Sequence, residues 1–325
     1  MNRRMITSVV VGLLALVTVG LVLVSLRPST PPRAPAAPIT TGALAVAGNV
    51  TLRWAGPTDC NPDTDVIQLE QSVGGGSWTG VKMPLVTVYG MTFDSDNPNV
   101  GLAYGTTRNC ARGVAITENG GLTWRYRSDN PQLVDASWIN GRLWGIDRTT
   151  TSVVAAYDLR NHFRLVKLPK ITAATVCDAQ DGVPTSIAFY TVSKGMMLCE
   201  QQTTQGRLIA YTPNAAATWE RVADTSPTGG LDGAGPIQDL DVAGTKSAWV
   251  LFPAGVECNA GQLRHSTSLG SVWAREPCLP GSLHIDLILD VTFTSPTQGL
   301  MLATSNGAVT MLQTSDAGKT WTPQP

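Results

Sequence analysis

From about residue 42 to its end this chain is a succession of short apolar runs broken by Gly, Asn, Asp, Ser and Pro. The stretch "LDVTFTSPTQGLMLATSNGAVTMLQ" (289–313) reads as a strand, a turn, an apolar run with Gly, a loop and a third strand. "YGMTFDSDNPNVGLAYGTTRNCARGVAI" (89–116) repeats that order, as do "TSIAFYTVSKGMMLCEQQTTQGRLIAY" (185–211) and "QDLDVAGTKSAWVLFPAGVECNAGQLRHS" (238–266). "DASWINGRLWGIDRTTTSVVAAY" (135–157) is a shorter version, and "GALAVAGNVTLRWAG" (42–56) opens the series. No run has helical length or period within this region, so the expectation is all-β.

Each unit ends on the same eight-residue box. "TSDAGKTW" closes the chain at 314–321, with copies "TENGGLTW" at 117–124, "TPNAAATW" at 212–219 and "STSLGSVW" at 266–273. Weaker copies are "QSVGGGSW" at 71–78 and "AYDLRNHF" at 156–163, the last keeping the acid Asp158 and replacing tryptophan with Phe163. The closing aromatics, Trp78, Trp124, Phe163, Trp219, Trp273 and Trp321, are spaced by about 49 residues on average, in the range of propeller blades. The box predicts a turn from the third strand into a fourth. Asn119, Asn214, Ser268 and Asp316 accept hydrogen bonds within that turn. Gly121, Gly270 and Gly318 supply positive φ, and the tryptophans wedge between neighbouring units. Because no unit can bury both faces alone, the expected fold is a six-bladed β-propeller of four-stranded antiparallel blades over 42–325, with room for a seventh, cryptic blade.

The pattern S/T-x-D-x-G-x-T-W resembles the Asp-box, or BNR, repeat of sialidases, sortilin-type receptors, xyloglucanases and the photosystem II assembly-factor propellers, and its rhythm is most like the last of these. Box 314–321 fits at every defined position. Box 117–124 departs only at Asn119, box 212–219 at Asn214 and Ala216, and box 266–273 at Ser268 and Val272. The resemblance implies the fold, and by analogy a protein partner.

Charge and composition remove some classes of function. Net charge is −1 and charged residues are 14% of the chain, so there is no electrostatic footprint for nucleic acid. "MITSVVVGLLALVTVGLVLVSL", Met5 to Leu26, carries no charge and is long enough to span a bilayer. Residues 1–26 therefore read as a cytoplasmic tip and transmembrane signal-anchor, with a cleaved signal peptide as the alternative. Arg3 and Arg4 before it favour an extracytoplasmic body. Residues 27–41 form a Pro-rich linker.

On the propeller frame, the second-to-third loops and the connections between blades open on the face away from the boxes. All six cysteines fall there, and the frame selects Cys60–Cys110, Cys177–Cys199 and Cys258–Cys278 from fifteen pairings. With no C-x-x-C pair and three histidines, no zinc site is expected, and no cofactor. The same face carries Asp59, Asp63, Asp65, Arg108, Arg112, Asp178, Asp181, Asp232, Asp239, His284 and Asp286, residue types that serve binding on loops and solvated turns alike. Asp63 and its neighbours offer oxygen ligands to Ca²⁺ without EF-hand spacing. Sialidase chemistry requires an arginine cluster, a tyrosine nucleophile and its glutamate; "PITTGALAV" (38–46) contains no arginine where that family carries one. Tyr104 with Arg108 is the nearest approach. Paired carboxylates of the glycosidase kind remain in Asp239, Asp241, Asp286 and Asp290. The expected role is a membrane-anchored scaffold binding a protein at a bacterial envelope. The alternative is a sialidase-like or other glycoside hydrolase, with a glycan as ligand.

Overall fold

The computed structural model describes residues 38–57, 69–147, 153–160, 163–168, 177, 182–201, 206–226, 228, 230, 231, 237–255 and 258–324. The expected transmembrane segment, the linker up to residue 37, and Asp59, Cys60, Asp63, Asp65, Asp178, Asp181 and Asp232 lie outside them. Among the described residues no helix is long and apolar enough to cross a membrane.

The apolar runs form six four-stranded antiparallel sheets, each from one contiguous stretch of chain. Blade 1 holds β1 (Thr41–Ala47), β2 (Val50–Gly56), β3 (Leu69–Val73) and β4 (Thr79–Val81). Blade 2 holds β5 (Thr87–Phe93), β6 (Gly101–Thr106), β7 (Arg112–Thr117) and β8 (Arg125–Tyr126). Blade 3 holds β9 (Leu133–Ile139), β10 (Arg142–Asp147), β11 (Val153–Arg160) and β12 (Arg164–Lys167). Blade 4 holds β13 (Gly182–Phe189), β14 (Gly195–Gln201), β15 (Arg207–Thr212) and β16 (Glu220–Asp224). Blade 5 holds β17 (Asp239–Ala243), β18 (Ser247–Phe252), β19 (Gln262–Ser266) and β20 (Ala274–Arg275). Blade 6 holds β21 (Ile285–Phe293), β22 (Gly299–Ser305), β23 (Ala308–Thr314) and β24 (Thr322–Pro323). The first strands pack side by side in a closed ring, β1 against β5, then β9, β13, β17, β21 and back to β1. The second strands are almost wholly buried, as in Gly101–Thr106 and Ser247–Phe252, because each lies between two neighbouring blades.

Four boxes share two turn contacts, and all but box 212–219 add a third from the tryptophan indole. The Thr117 hydroxyl accepts the Gly121 N–H (3.0 Å), Asn119 Oδ1 accepts the Thr123 N–H (2.9 Å), and the Trp124 indole donates to the Gly121 carbonyl (2.8 Å). Thr314, Asp316 and Trp321 repeat all three contacts, and so do Ser266, Ser268 and Trp273. The fourth and fifth residues of each box both have positive φ: Gly120 and Gly121, Ala215 and Ala216, Leu269 and Gly270, Ala317 and Gly318. Each box tryptophan packs on the preceding blade: Trp124 joins Leu52 and Trp54, Trp219 joins Trp144, and Trp321 joins Trp249. Within its own blade it meets a first-strand phenylalanine edge-on, Phe93–Trp124 at 6.1 Å, Phe189–Trp219 at 6.3 Å and Phe293–Trp321 at 6.2 Å.

Blade 3 departs from this geometry. Asp158 is not a turn residue there: it lies inside β11, opposite Val166. β11 runs on to Arg160, the fifth position of the expected box, whereas β7, β15, β19 and β23 end at the first position of theirs. Phe163 packs against the cluster that holds Leu143, Tyr157 and Leu165, with the Arg125 guanidinium 4.7 Å above its ring.

Candidate functional site

Six first strands leave a channel at the centre, a cavity of about 320 Å³. Three of the first strands end on a phenylalanine, Phe93, Phe189 and Phe293, and three residues before it stand Gly90, Ser186 and Asp290. Gly42 of blade 1, Asp135 of blade 3 and Asp239 of blade 5 also line the cavity. Two residues further on stand Leu44, Thr92, Ser137, Ala188, Asp241 and Thr292. Four carboxylates therefore converge on the cavity, and among the described residues no Lys, Arg or His lines it.

These oxygens join one blade to the next. Thr92 Oγ1 accepts the Trp138 N–H (3.1 Å), Ser137 Oγ the Phe189 N–H (3.0 Å) and Asp241 Oδ2 the Phe293 N–H (2.6 Å), the same tie from blades 2, 3 and 5. Asp135 Oδ2 accepts from Ile187 N–H and the Ser186 hydroxyl, both at 2.7 Å. Asp290 Oδ2 accepts the Leu44 N–H at 2.6 Å, joining the last blade to the first. Tyr104 reaches the channel from a second strand and donates to Asp135 Oδ1 at 2.5 Å. It fits because Gly90 lies beneath it: a Cβ there would sit 1.9 Å from the tyrosine oxygen.

By accessible surface the four carboxylates are half-buried, yet the surface they expose is that of the channel, and the field they feel is that of the interior. Burial pushes Asp241 up to about 7, against hydrogen bonds from Phe293 and Val242. Burial also raises Asp135, opposed by four donors, from Tyr104, Ser186, Ile187 and Ala136. Burial and the Asp135 charge raise Asp239 to about 6, and burial and the Asp239 charge raise Asp290 well above the usual carboxylate range. Burial and the Asp135 charge hold the Tyr104 phenol well above its ordinary range.

The remaining sequence-derived positions do not join this site. Arg108 is exposed and borders a separate cleft with Met83, Pro84, Val86 and Tyr126. Arg112 lies 5.5 Å above the Tyr89 ring. His284 and Asp286 are exposed; His284 borders a cleft at the Cys258–Cys278 bridge, and Asp286 accepts the Gly307 N–H. Tyr104 and Arg108 thus belong to different places. Asp135 went unnoticed in the sequence, though aligning Trp138 with Phe293 puts it level with Asp290. Among the described residues no group of three or more His, Cys, Asp or Glu is arranged to hold a metal ion. Cys177–Cys199 and Cys258–Cys278 are disulfides, with Cα separations of 5.7 and 5.6 Å. Cys110 is disulfide-bonded too, and its expected partner, Cys60, lies outside the described residues.

The six-sheet ring has close counterparts among solved structures. The fold is that of the six-bladed β-propellers. A xyloglucanase of family GH74 from Xanthomonas campestris is 13% identical with a TM-score of 0.54, over 89% of this chain and 46% of its own. This chain spans about half that enzyme's length. The fungal lectin of Aleuria aurantia, described as a six-bladed propeller with a novel mode of fucose recognition, is 11% identical with a TM-score of 0.54 over 90% of this chain and 97% of the lectin. YCF48 from Cyanidioschyzon merolae is 18% identical, with a TM-score of 0.45, over 77% and 88%. At these identities the likeness concerns the fold alone. No family model and no curated protein matches the sequence.

Proposed function

We propose that this chain is a non-catalytic, protein-binding propeller of the Asp-box type, held at the outer side of a cell membrane by its N-terminal segment. The observation that carries the non-catalytic reading is how the channel carboxylates are used. Asp135, Asp241 and Asp290 each accept a backbone N–H from the neighbouring blade, so the acids join blades and are not free to act on a substrate. The disulfides support an extracytoplasmic home, since such bonds persist in oxidising compartments. They also fix loops on the face away from the boxes, where a partner would bind.

Glycoside hydrolysis is the second reading, favoured by Asp239 and Asp290 in one cavity. Against it stands their engagement with the backbone: Asp290 accepts the Leu44 and Val291 N–H groups and Asp239 the Leu240 N–H, where a hydrolase keeps its carboxyl groups free to flank the glycosidic bond. The full-length protein, crosslinked in its membrane and purified, is expected to carry a specific protein and to turn over no member of a fluorogenic glycoside panel. Turnover that disappears in Asp239→Asn would establish the hydrolase instead.

A further inference from the structure

The seam between blades 6 and 1 is packed differently from the other joints. Asp135 accepts the Ile187 N–H, two residues before Phe189, and Asp290 accepts the Leu44 N–H, two residues before Val46. Val46 therefore stands where Phe189 does. Such a phenylalanine covers the preceding blade: Phe189 stacks on Trp144 at 4.3 Å, Phe293 stacks on Trp249 at 3.6 Å, and Phe93 packs with Leu52. Each of the three rings has a glycine opposite it, Gly101, Gly195 or Gly299. It needs one, since a Cβ at Gly101 would lie 2.4 Å from the Phe93 ring, and one at Gly195 or Gly299 2.7 Å from its partner ring. Blade 1 departs at both positions, with Val46 opposite Thr51.

The second-strand residue that such a ring would cover shows the consequence. In blades 1 to 5 it is Leu52, Leu102, Trp144, Met196 and Trp249, each with 0% of its surface exposed. In blade 6 it is Leu300, which is half-buried. Blade 5 also has a valine at the ring position, Val242 opposite Ala248, but there the box turn closes the joint: a Cβ on Gly270 would sit 2.5 Å from Met196 Cε. The turn of blade 1 runs the same course, Gly74 donating to the Asn49 carbonyl at 2.8 Å as Gly120 does to that of Asn99. A Cβ on its Gly75 would nevertheless meet nothing within 4 Å. Neither ring nor turn reaches Leu300, and a cleft of about 440 Å³ lies there. Val46 and Leu300 are its apolar lining. Gln313 and Thr322 continue the Leu300 row across the sheet, Gln298 comes from the β21–β22 turn and Thr320 from the box. Among the described residues that line it, none is charged.

We propose that this cleft is a docking site for an uncharged protein segment that lays a phenylalanine side chain on Val46 and Leu300. The other joints identify the occupant, because the same space is filled there by a phenylalanine ring, a turn of small residues, or both. The glutamine amides and threonine hydroxyls offer donors and acceptors to the backbone of such a segment. A charged ligand would lose its hydration and meet no opposite charge. The cleft is bordered by the box turn, on the face opposite the disulfide-bearing loops, so this surface is additional to the one assigned to a partner above.

The test uses the full-length chain in lipid nanodiscs, with N-acetyl-phenylalaninamide as the probe. Its ring and two amides reproduce one residue of the segment. The probe is expected to shift the methyl resonances of Val46 and Leu300 saturably, with a dissociation constant in the millimolar range for so small a ligand. The Leu102 methyls, buried at the equivalent position of blade 2, should not move. N-acetyl-alaninamide should shift none of them. Val46→Phe with Thr51→Gly supplies the ring from the chain itself and should abolish the response. Saturation that persists in the folded double variant overturns the proposal, as does an equal response to the alanine amide. So does a response to methyl glucopyranoside in place of the phenylalanine amide, which would assign the cleft to a sugar. Should the double variant fail to fold, nuclear Overhauser contacts on the natural chain decide. They are expected between the probe ring and the methyls of both Val46 and Leu300, and their absence at saturating probe overturns the docking site.

Discussion

Ala216 occupies the fifth position of its box, where four other boxes have glycine. Its φ is +61°, against +89°, +81° and +94° at Gly121, Gly270 and Gly318. The methyl group keeps the backbone short of the glycine value and turns the carbonyl, and the Trp219 indole N–H is left buried without a partner. Ala216→Gly relieves a left-handed alanine (about 1–2 kcal/mol) and recovers an indole hydrogen bond (about 1 kcal/mol). It loses a buried methyl group (about 0.8 kcal/mol). A net gain of about 1 kcal/mol is expected, seen as a rise of about 2 °C in melting temperature. The reverse change at Gly121 should be costly, since its Cβ would sit 2.5 Å from Leu52 Cδ2 of the preceding blade. Gly121→Ala is expected to lose about 1–3 kcal/mol in denaturant unfolding. At this scale the sequence was readable where side chains act on their own turn. Asp316, whose carboxyl the Thr320 hydroxyl and N–H hold below the usual carboxylate range, is a turn residue as its pattern implies. Asp135 was not readable, because its meaning depends on a strand 52 residues away.

Among elements, the box hairpins show why the repeat is legible at all. Thr, Asn or Asp, Gly and Trp are fixed by contacts inside eight residues, so their spacing survives in the sequence. Blade 3 shows the limit. Its hairpin closes by ordinary strand pairing from Tyr157–Lys167 to Arg160–Arg164, which leaves no side-chain signature, and Asp158 imitated one. The disulfides were readable for a topological reason: Cys177 precedes blade 4 and meets Cys199 near the end of its second strand, and Cys258 meets Cys278 across the end of blade 5. Cys177–Cys199 and Cys258–Cys278 close loops of 22 and 20 residues. Opening either by Cys→Ser at both ends is expected to remove about 2–4 kcal/mol, measured as a lower denaturant midpoint. Retention of the natural midpoint would mean that the strand ends hold those loops unaided.

For the whole molecule, stability depends on ties that cross from blade to blade around the channel. Thr92 Oγ1 is such a tie, and Thr92→Val keeps its shape while leaving the Trp138 N–H unpaired. The expected loss is about 1–3 kcal/mol by chemical denaturation, with spectra of the folded state unchanged. The sequence could not show this layer, because small polar residues on first strands look the same whether they face water or a neighbouring backbone.

Every blade is a single uninterrupted length of chain, so the ring resembles a split washer more than a welded hoop. The places where one sheet ends and the next begins are comparable joints, and the one between blade 6 and blade 1 is tied by Asp290 and Leu44 with no chain connection across it. A gene rearranged so that the chain starts at another joint, such as the one between Tyr126 and Leu133, with the old ends linked, would keep all six sheets whole. The position of the opening would then be a property of the gene and not of the fold.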